Sequence, residues 1–166
     1  RDILLEEANA HELKFKLATI ASEIDKSVVL ASLRSGGISP MPDVATLTED
    51  AVTGSVRIVG QMGTEPLAHA LAQGADVVLA GRACDTAIYA ALPISRGYDA
   101  GLALHMAKIM ECGAQCALPL APNDSLLGII RKDHFLIRPL AQSRVVSPES
   151  VAAHTMYEQS DPLMLY

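Results

Sequence analysis

The chain has 166 residues, half of them apolar, with a positive mean hydropathy, enough to bury a core for about one domain. Aromatic residues make up only 4 %, with no Trp and two Phe, so the core has to be built from Ala, Leu, Ile, Val and Met, and the stacking platforms of single-strand nucleic-acid binders are nearly lacking. Thirteen basic against nineteen acidic residues give a net charge of -6, and no Lys/Arg stripe could follow a phosphate backbone, which excludes nucleic acid as a partner.

The first residues, Arg1-Asp2-Ile3-Leu4-Leu5-Glu6-Glu7, lack a Met, a basic leader and an apolar leader core. They read like the middle of a helix running to about residue 11, so the chain is expected to be cut from a longer protein. Residues 13–20 alternate and then turn wholly apolar, as a strand entering a sheet does. Ser22, Glu23 and Asp25 offer caps for a helix over 26–35, which Gly36-Gly37 ends, and Ser39-Pro40-Met41-Pro42 is a loop. Thr46 or Thr48 caps a short helix before an expected strand at 56–59.

Gly60-Gln61-Met62-Gly63-Thr64-Glu65-Pro66 then opens a helix over 67–73, with Thr64 as the expected cap and Gly74 as the stop. Residues 75–80 carry the continuous apolar pattern of a buried parallel strand. A helix follows Asp85 to about residue 91, residues 93–97 break it, and a longer helix over 99–112 ends at Gly113. No apolar run reaches the roughly 20 residues of a membrane helix. From Asp124 the pattern changes: two apolar segments flank Lys132-Asp133 as a hairpin, and Ser147-Pro148 starts a last helix that runs to about 159 and stops at Asp161-Pro162.

The expected fold class is therefore α/β: a mainly parallel sheet of βα units over about 12–115, followed by a β-hairpin and a terminal helix. One domain or domain fragment spans 1–166, with a sub-boundary near 117–124. Three cysteines, Cys84, Cys112 and Cys116, form no CxxC and read as reduced thiols of a cytoplasmic protein.

In open parallel sheets ligands bind beyond the carboxyl ends of the strands. Three such ends are expected to converge: residues 22–25, 60–65 and 81–86. Gly81 lets the backbone pass closely, and Arg82 presents a planar cation beside a helix start, a setting for a carboxylate or phosphate. The competing reading is an Arg82–Asp85 ion pair with Asp85 as a plain cap. Gly60-Gln61-Met62-Gly63 matches neither a dinucleotide fingerprint nor a P-loop. The candidate ligand-binding residues are thus Gly60, Gln61, Gly63, Gly81, Arg82, Asp85 and Thr86.

On the long helix His105, Lys108, Glu111 and Cys112 fall three or four apart beside an apolar face of Leu102, Met106 and Ile109. Lys108 and Glu111 are candidates for acid–base work, against a solvated face with an i,i+3 ion pair. His154, Tyr157 and Glu158 repeat the arrangement, which makes His154 and Glu158 further catalytic candidates. Without a third ligand neither set forms a metal site, and no metal is expected. His11, His69 and His134 read as surface residues. Serine-hydrolase, zincin and kinase motifs are missing.

Several ordered blocks carry a resemblance: Ile58 to Pro66, Gly74 to Thr86, His105 to Ala114, Lys132 to Phe135 and Ser150 to Glu158. Together they resemble the acyclic terpene utilisation (AtuA) family, longer proteins of largely unassigned activity, and the similarity extends over nearly the whole chain. The resemblance implies catabolism of acids such as citronellate and geranate, handled as coenzyme A thioesters. Some relatives carry the label methylaspartate ammonia-lyase; established enzymes of that activity have an enolase-type barrel with a magnesium site, whose carboxylate set this sequence does not show. Thr86 stands where the familiar form of the Gly81 block has Pro, marking a subgroup.

The expectation is a catabolic enzyme acting on a small organic acid or its acyl-CoA thioester. No cofactor is evident, the thioester entering as substrate. The alternatives are a non-catalytic assembly domain and a carbon–nitrogen lyase. Expected partners are the small acid or thioester, the missing segments of a longer chain and further copies of itself.

Overall fold

The computed structural model describes residues 1–121 and 124–156. Helix α1 (Asp2–Ala10) ends at His11 and leads into β1 (Leu17–Ile20). Helix α2 (Lys26–Arg34) starts where the Asp25 side chain accepts from Ser27 N at 2.7 Å, and Gly36 takes the left-handed conformation that stops it (φ 74°). Thr48 caps α3 (Glu49–Gly54), whose Val52 is fully buried. Arg34 grips Glu49 through Nε at 2.9 Å and Nη2 at 2.5 Å, tying α2 to α3.

Helix α4 (Thr64–Ala72) precedes β2 (Val77–Ala80), with Gly74 in the left-handed region between them. Thr64 is not the cap of α4: Gly63 holds that position and no side chain closes it. Helix α5 (Asp85–Ser95) runs farther than expected because Pro93 sits inside its last turns. The residues between it and α6 (Ala100–Met110) form a short turn, with Gly97 left-handed. Ala90, Ala103 and Ala107 bury completely between the two helices. Small side chains let the helices approach closely, so α5 and α6 pack as an αα-hairpin.

After α6 come β3 (Ala117–Leu118), β4 (Leu126–Ile130), β5 (Phe135–Pro139), β6 (Val145–Val146) and α7 (Pro148–Met156). The hairpin foreseen around Lys132-Asp133 is β4–β5, antiparallel from Leu126↔Pro139 to Ile130↔Phe135. Ser147 and Ser150 cap the start of α7 reciprocally, each hydroxyl accepting from the other's backbone N. The predicted end of that helix, residues 157–162, lies outside the described residues.

The mainly parallel sheet is not what forms. Among the described residues only β1 and β2 pair in parallel, Leu17↔Val77 through Ile20↔Ala80; β3–β6 and β4–β5 are separate antiparallel pairs. Residues 56–59, expected as a strand, touch the sheet only through an isolated bridge, Glu23↔Val59, and Val56 is 93 % exposed. An apolar run can satisfy a strand pattern yet still lack neighbours to pair with along its length. Two clusters anchor the sheets: Leu67, Ala87 and Ala91 against Ile20, Val78 and Ala80 under β1–β2, and Ile109, Cys116, Ala117 and Leu126 under the hairpin.

Candidate functional site

Three loops leave the carboxyl ends of β1, β2 and the 56–59 segment, and backbone hydrogen bonds join them. Gly81 N donates to Ile20 O at 2.8 Å, Gly60 N to Ser22 O at 2.9 Å, and Ile24 N to Ile58 O at 2.9 Å. Met62 closes the row, donating to Arg82 O at 3.1 Å and accepting from Cys84 N at 2.9 Å. Residues 22–24, 58–62 and 81–84 thus form one continuous rim, although 56–59 never becomes a regular strand.

Two glycines make the rim this tight. A Cβ on Gly81 would lie 2.7 Å from Ser22 Cβ and 2.9 Å from Ser22 N, and would overlap Ser22 Oγ; one on Gly60 would lie 2.7 Å from Ile24 Cδ1. Close backbone crossing therefore requires glycine at 81, whereas at 60 the obstacle is only the flexible end of a side chain.

Arg82 is exposed and, among the described residues, makes no ion pair. The competing reading of an Arg82–Asp85 pair with Asp85 as cap does not hold: Cys84 occupies the cap position of α5, and Asp85 is the first helical residue, in its first turn. Thr86 Oγ1 lies 3.2 Å from Cys84 Sγ. Gln61 is exposed, and Glu65 folds its carboxylate back over Gly63, where a Cβ would meet Oε2 at 2.7 Å. On the far side of the rim Arg57 donates to Glu23 at 2.5 Å, and Asp25 has its carboxyl held below the usual range by the Ser27 hydrogen bonds.

Two apolar clefts lie near this rim, one of them reaching it. One, of about 440 Å³, is lined by Gly81 and Ala83 on either side of Arg82 and then by Leu67, Val78, Ile88 and Leu92. The other, of about 630 Å³, runs along β1 beside α4, past Ile20 and Glu65 to Lys16.

The structure brings Gly60, Gln61, Gly63, Gly81, Arg82, Asp85 and Thr86 into this one region. Lys108 and Glu111 lie at the C-terminal end of α6, and neither lines the clefts near the rim. Lys108 Nζ donates to Glu111 Oε1 at 2.5 Å, and Glu111 is only 8 % exposed. The i,i+3 pair is thus present, but the fully solvated face of the competing reading is not. His105 turns to the hairpin instead, its ring edge-on to Phe135 at 5.2 Å. His154 is buried on α7; Tyr157 and Glu158 lie outside the described residues. Among the described residues no three His, Cys, Asp or Glu gather as metal ligands, and no helix is long and apolar enough to cross a membrane.

Sequence reading passed over two residues. Ser22 was read as a possible cap within the 22–25 strand end and not as a site residue, yet it lies against Gly81 in the rim. Arg144, 5 % exposed, binds Ala114 O, Ala117 O, Pro119 O and Asp124 at once; a lone Arg in a loop gives no sequence signal for this.

A family model for the acyclic terpene utilisation family protein AtuA matches residues 3–119, more than half of the chain. The chain belongs to the AtuA family. The matched part contains the whole rim, both clefts and the Lys108–Glu111 pair, whereas the blocks at 132–135 and 150–158 stand beyond it. Curated proteins and solved structures return no match.

Proposed function

We propose that this AtuA-family chain carries the acid-recognition site of a catabolic enzyme acting on a small organic acid with an apolar tail, or on its acyl-CoA thioester. One observation carries the reading: Arg82, exposed and with no ion pair among the described residues, lies in the chain between Gly81 and Ala83, both of which line an apolar cleft. A carboxylate suits a planar two-pronged donor, and an aliphatic tail suits a wall of Leu, Val, Ile and Ala. Glu65 and Asp85 in the first turns of α4 and α5 favour a single carboxylate or a thioester carbonyl over a polyanion held at the rim itself. Lys108 and Glu111, ion-paired on α6, are the acid–base candidates of this reading.

The test is thermal unfolding of the intact chain with citronellate, geranate and their coenzyme A thioesters. A ligand at a hundred times its Kd stabilises by ~2.7 kcal/mol, raising Tm by roughly 5–10 °C for a domain of this size. Arg82→Ala should abolish that rise with little change in the unliganded Tm. No rise with any of the four compounds, or an equal rise in Arg82→Ala, would remove the site.

A further inference from the structure

We propose that the free edge of β1 pairs antiparallel with β1 of a second copy of this chain, joining two sheets in the order β2-β1-β1-β2. Lys16 O accepts from Val77 N at 3.2 Å and Ile20 O from Gly81 N at 2.8 Å, in the parallel register Leu17↔Val77 through Ile20↔Ala80. Bonding direction alternates along a strand, so Lys16, Ala18 and Ile20 turn their amides and carbonyls to β2, while Leu17 and Thr19 turn theirs the other way. Among the described residues no strand pairs with β1 on that side. The cleft of about 630 Å³ follows this edge: successive residues Leu17, Ala18, Thr19 and Ile20 line it, and no residue of β2 does. Side chains alternate between the faces of a strand, so a cleft that touches successive residues runs along the edge.

Charge and register select the occupant. The other wall of the cleft is α4, from Glu65 through His69 to Gln73. Lys16 Nζ donates to Gln73 O at 2.9 Å, which fixes one end. Glu65 stands about 12 Å along the helix from Gln73, as Ile20 stands about 13 Å along the strand from Lys16. The cleft is therefore basic at the Lys16 end and acidic at the Glu65 end. A twofold axis at Ala18 brings the Lys16 end of each copy onto the Glu65 end of the other. The same axis sets Leu17 opposite Thr19 of the second copy, the pairing in which two outward-facing residues exchange both hydrogen bonds. Ala18 then meets itself at the closely spaced position, where a small side chain fits. A parallel strand would instead put Lys16 beside Lys16. Neither Arg82 nor its cleft takes part, so the pairing is independent of the acid-recognition reading.

Sedimentation equilibrium of the intact chain should show a dimer. Thr19→Pro removes an amide directed to the edge and leaves the β1–β2 bonds in place. It takes two hydrogen bonds from the dimer, so the dimer Kd should weaken on the order of 10-fold or more. Glu65→Lys and Lys16→Glu, both at exposed positions, guard against misfolding of the proline variant. Each alone should weaken the dimer about 10-fold by setting like charges together at both ends. Combined in one chain they should restore it, because both ion pairs re-form with their signs exchanged. A chain that stays monomeric at every concentration, a dimer that Thr19→Pro leaves intact, or a double variant no tighter than the single ones overturns the inference.

Discussion

Arg144 shows how much one residue can hold when four of its five N–H donors are used. Its guanidinium donates from Nε to Pro119 O at 2.9 Å, from Nη1 to Asp124 at 2.7 Å, and from Nη2 to Ala114 O at 2.8 Å and Ala117 O at 2.5 Å. The carbonyls come from the segment after α6 and the short strand β3, where the backbone makes few hydrogen bonds of its own. Arg144→Met would remove a donor from all three carbonyls and the cationic partner from the Asp124 carboxylate, leaving Ala114 O only Ala117 N and Asp124 only the backbone amides of Ser125 and Ala141 among the donors described, and should lower unfolding free energy by about 3–5 kcal/mol in urea titration. The same contact sets an acid limb. Arg144 beside Asp124, first through hydrogen bonding, holds that carboxyl below its ordinary value of 3.8. A depressed folded pKa means the stabilisation is complete above the unfolded value and is lost as pH falls through the folded one. Stability should therefore drop below about pH 4, more shallowly in Asp124→Asn. Asp25 and Asp133 shift in the same direction, but their partners are exposed and water screens them.

Among the elements, caps and stops follow local chemistry, and they could be read from sequence. Asp25, Thr48 and the Ser147–Ser150 pair sit where short polar side chains satisfy the first amides of a helix, and Gly36, Gly74 and Gly113 where the chain turns left-handed. Two elements escaped this logic. Pro93 was expected to break α5, but a proline near the end of a helix costs less than one in its interior; the helix continues to Ser95. Residues 56–59 have the composition of a strand but find only one short crossing with 22–24. What fixes the geometry of that crossing is Gly81, whose obstacle is Ser22 backbone and Cβ and not a side-chain tip that can swing away. Gly81→Ala should therefore destabilise by about 1–3 kcal/mol in urea unfolding. Gly54→Ala, with nothing within 4 Å of the new methyl, serves as the control and should be neutral or slightly stabilising.

For the molecule as a whole, the sheets are thinner than their apolar surface demands. Helices α4 and α5 cover the face of β1–β2 that carries Ile20, Val78 and Ala80. On the other face Thr19 and Leu79 are exposed, and on the helical and hairpin surfaces Ile88, Leu104 and Leu136 are exposed as well, Ile88 at 63 %. A parallel sheet is normally covered on both faces, and exposed apolar surface of this kind favours contact with further polypeptide. This is the observation that supports the assembly reading beside the enzymatic one, and the two are compatible. Sedimentation of the chain at increasing concentration should show self-association that Ile88→Lys with Leu79→Lys weakens. A monomer at all concentrations would count against assembly through these faces.

What the sequence determined by itself was local or compositional: most of the caps and stops, the hairpin and the family. Each depends on nearest neighbours along the chain or on ordered blocks, and so survives without knowledge of the fold. The tertiary structure alone decided how many strands pair, that Ser22 lies over Gly81, that Lys108 pairs with a largely buried Glu111, and that Arg144 is buried. Those facts join residues dozens of positions apart, and such pairings depend on which surfaces meet once the chain has collapsed.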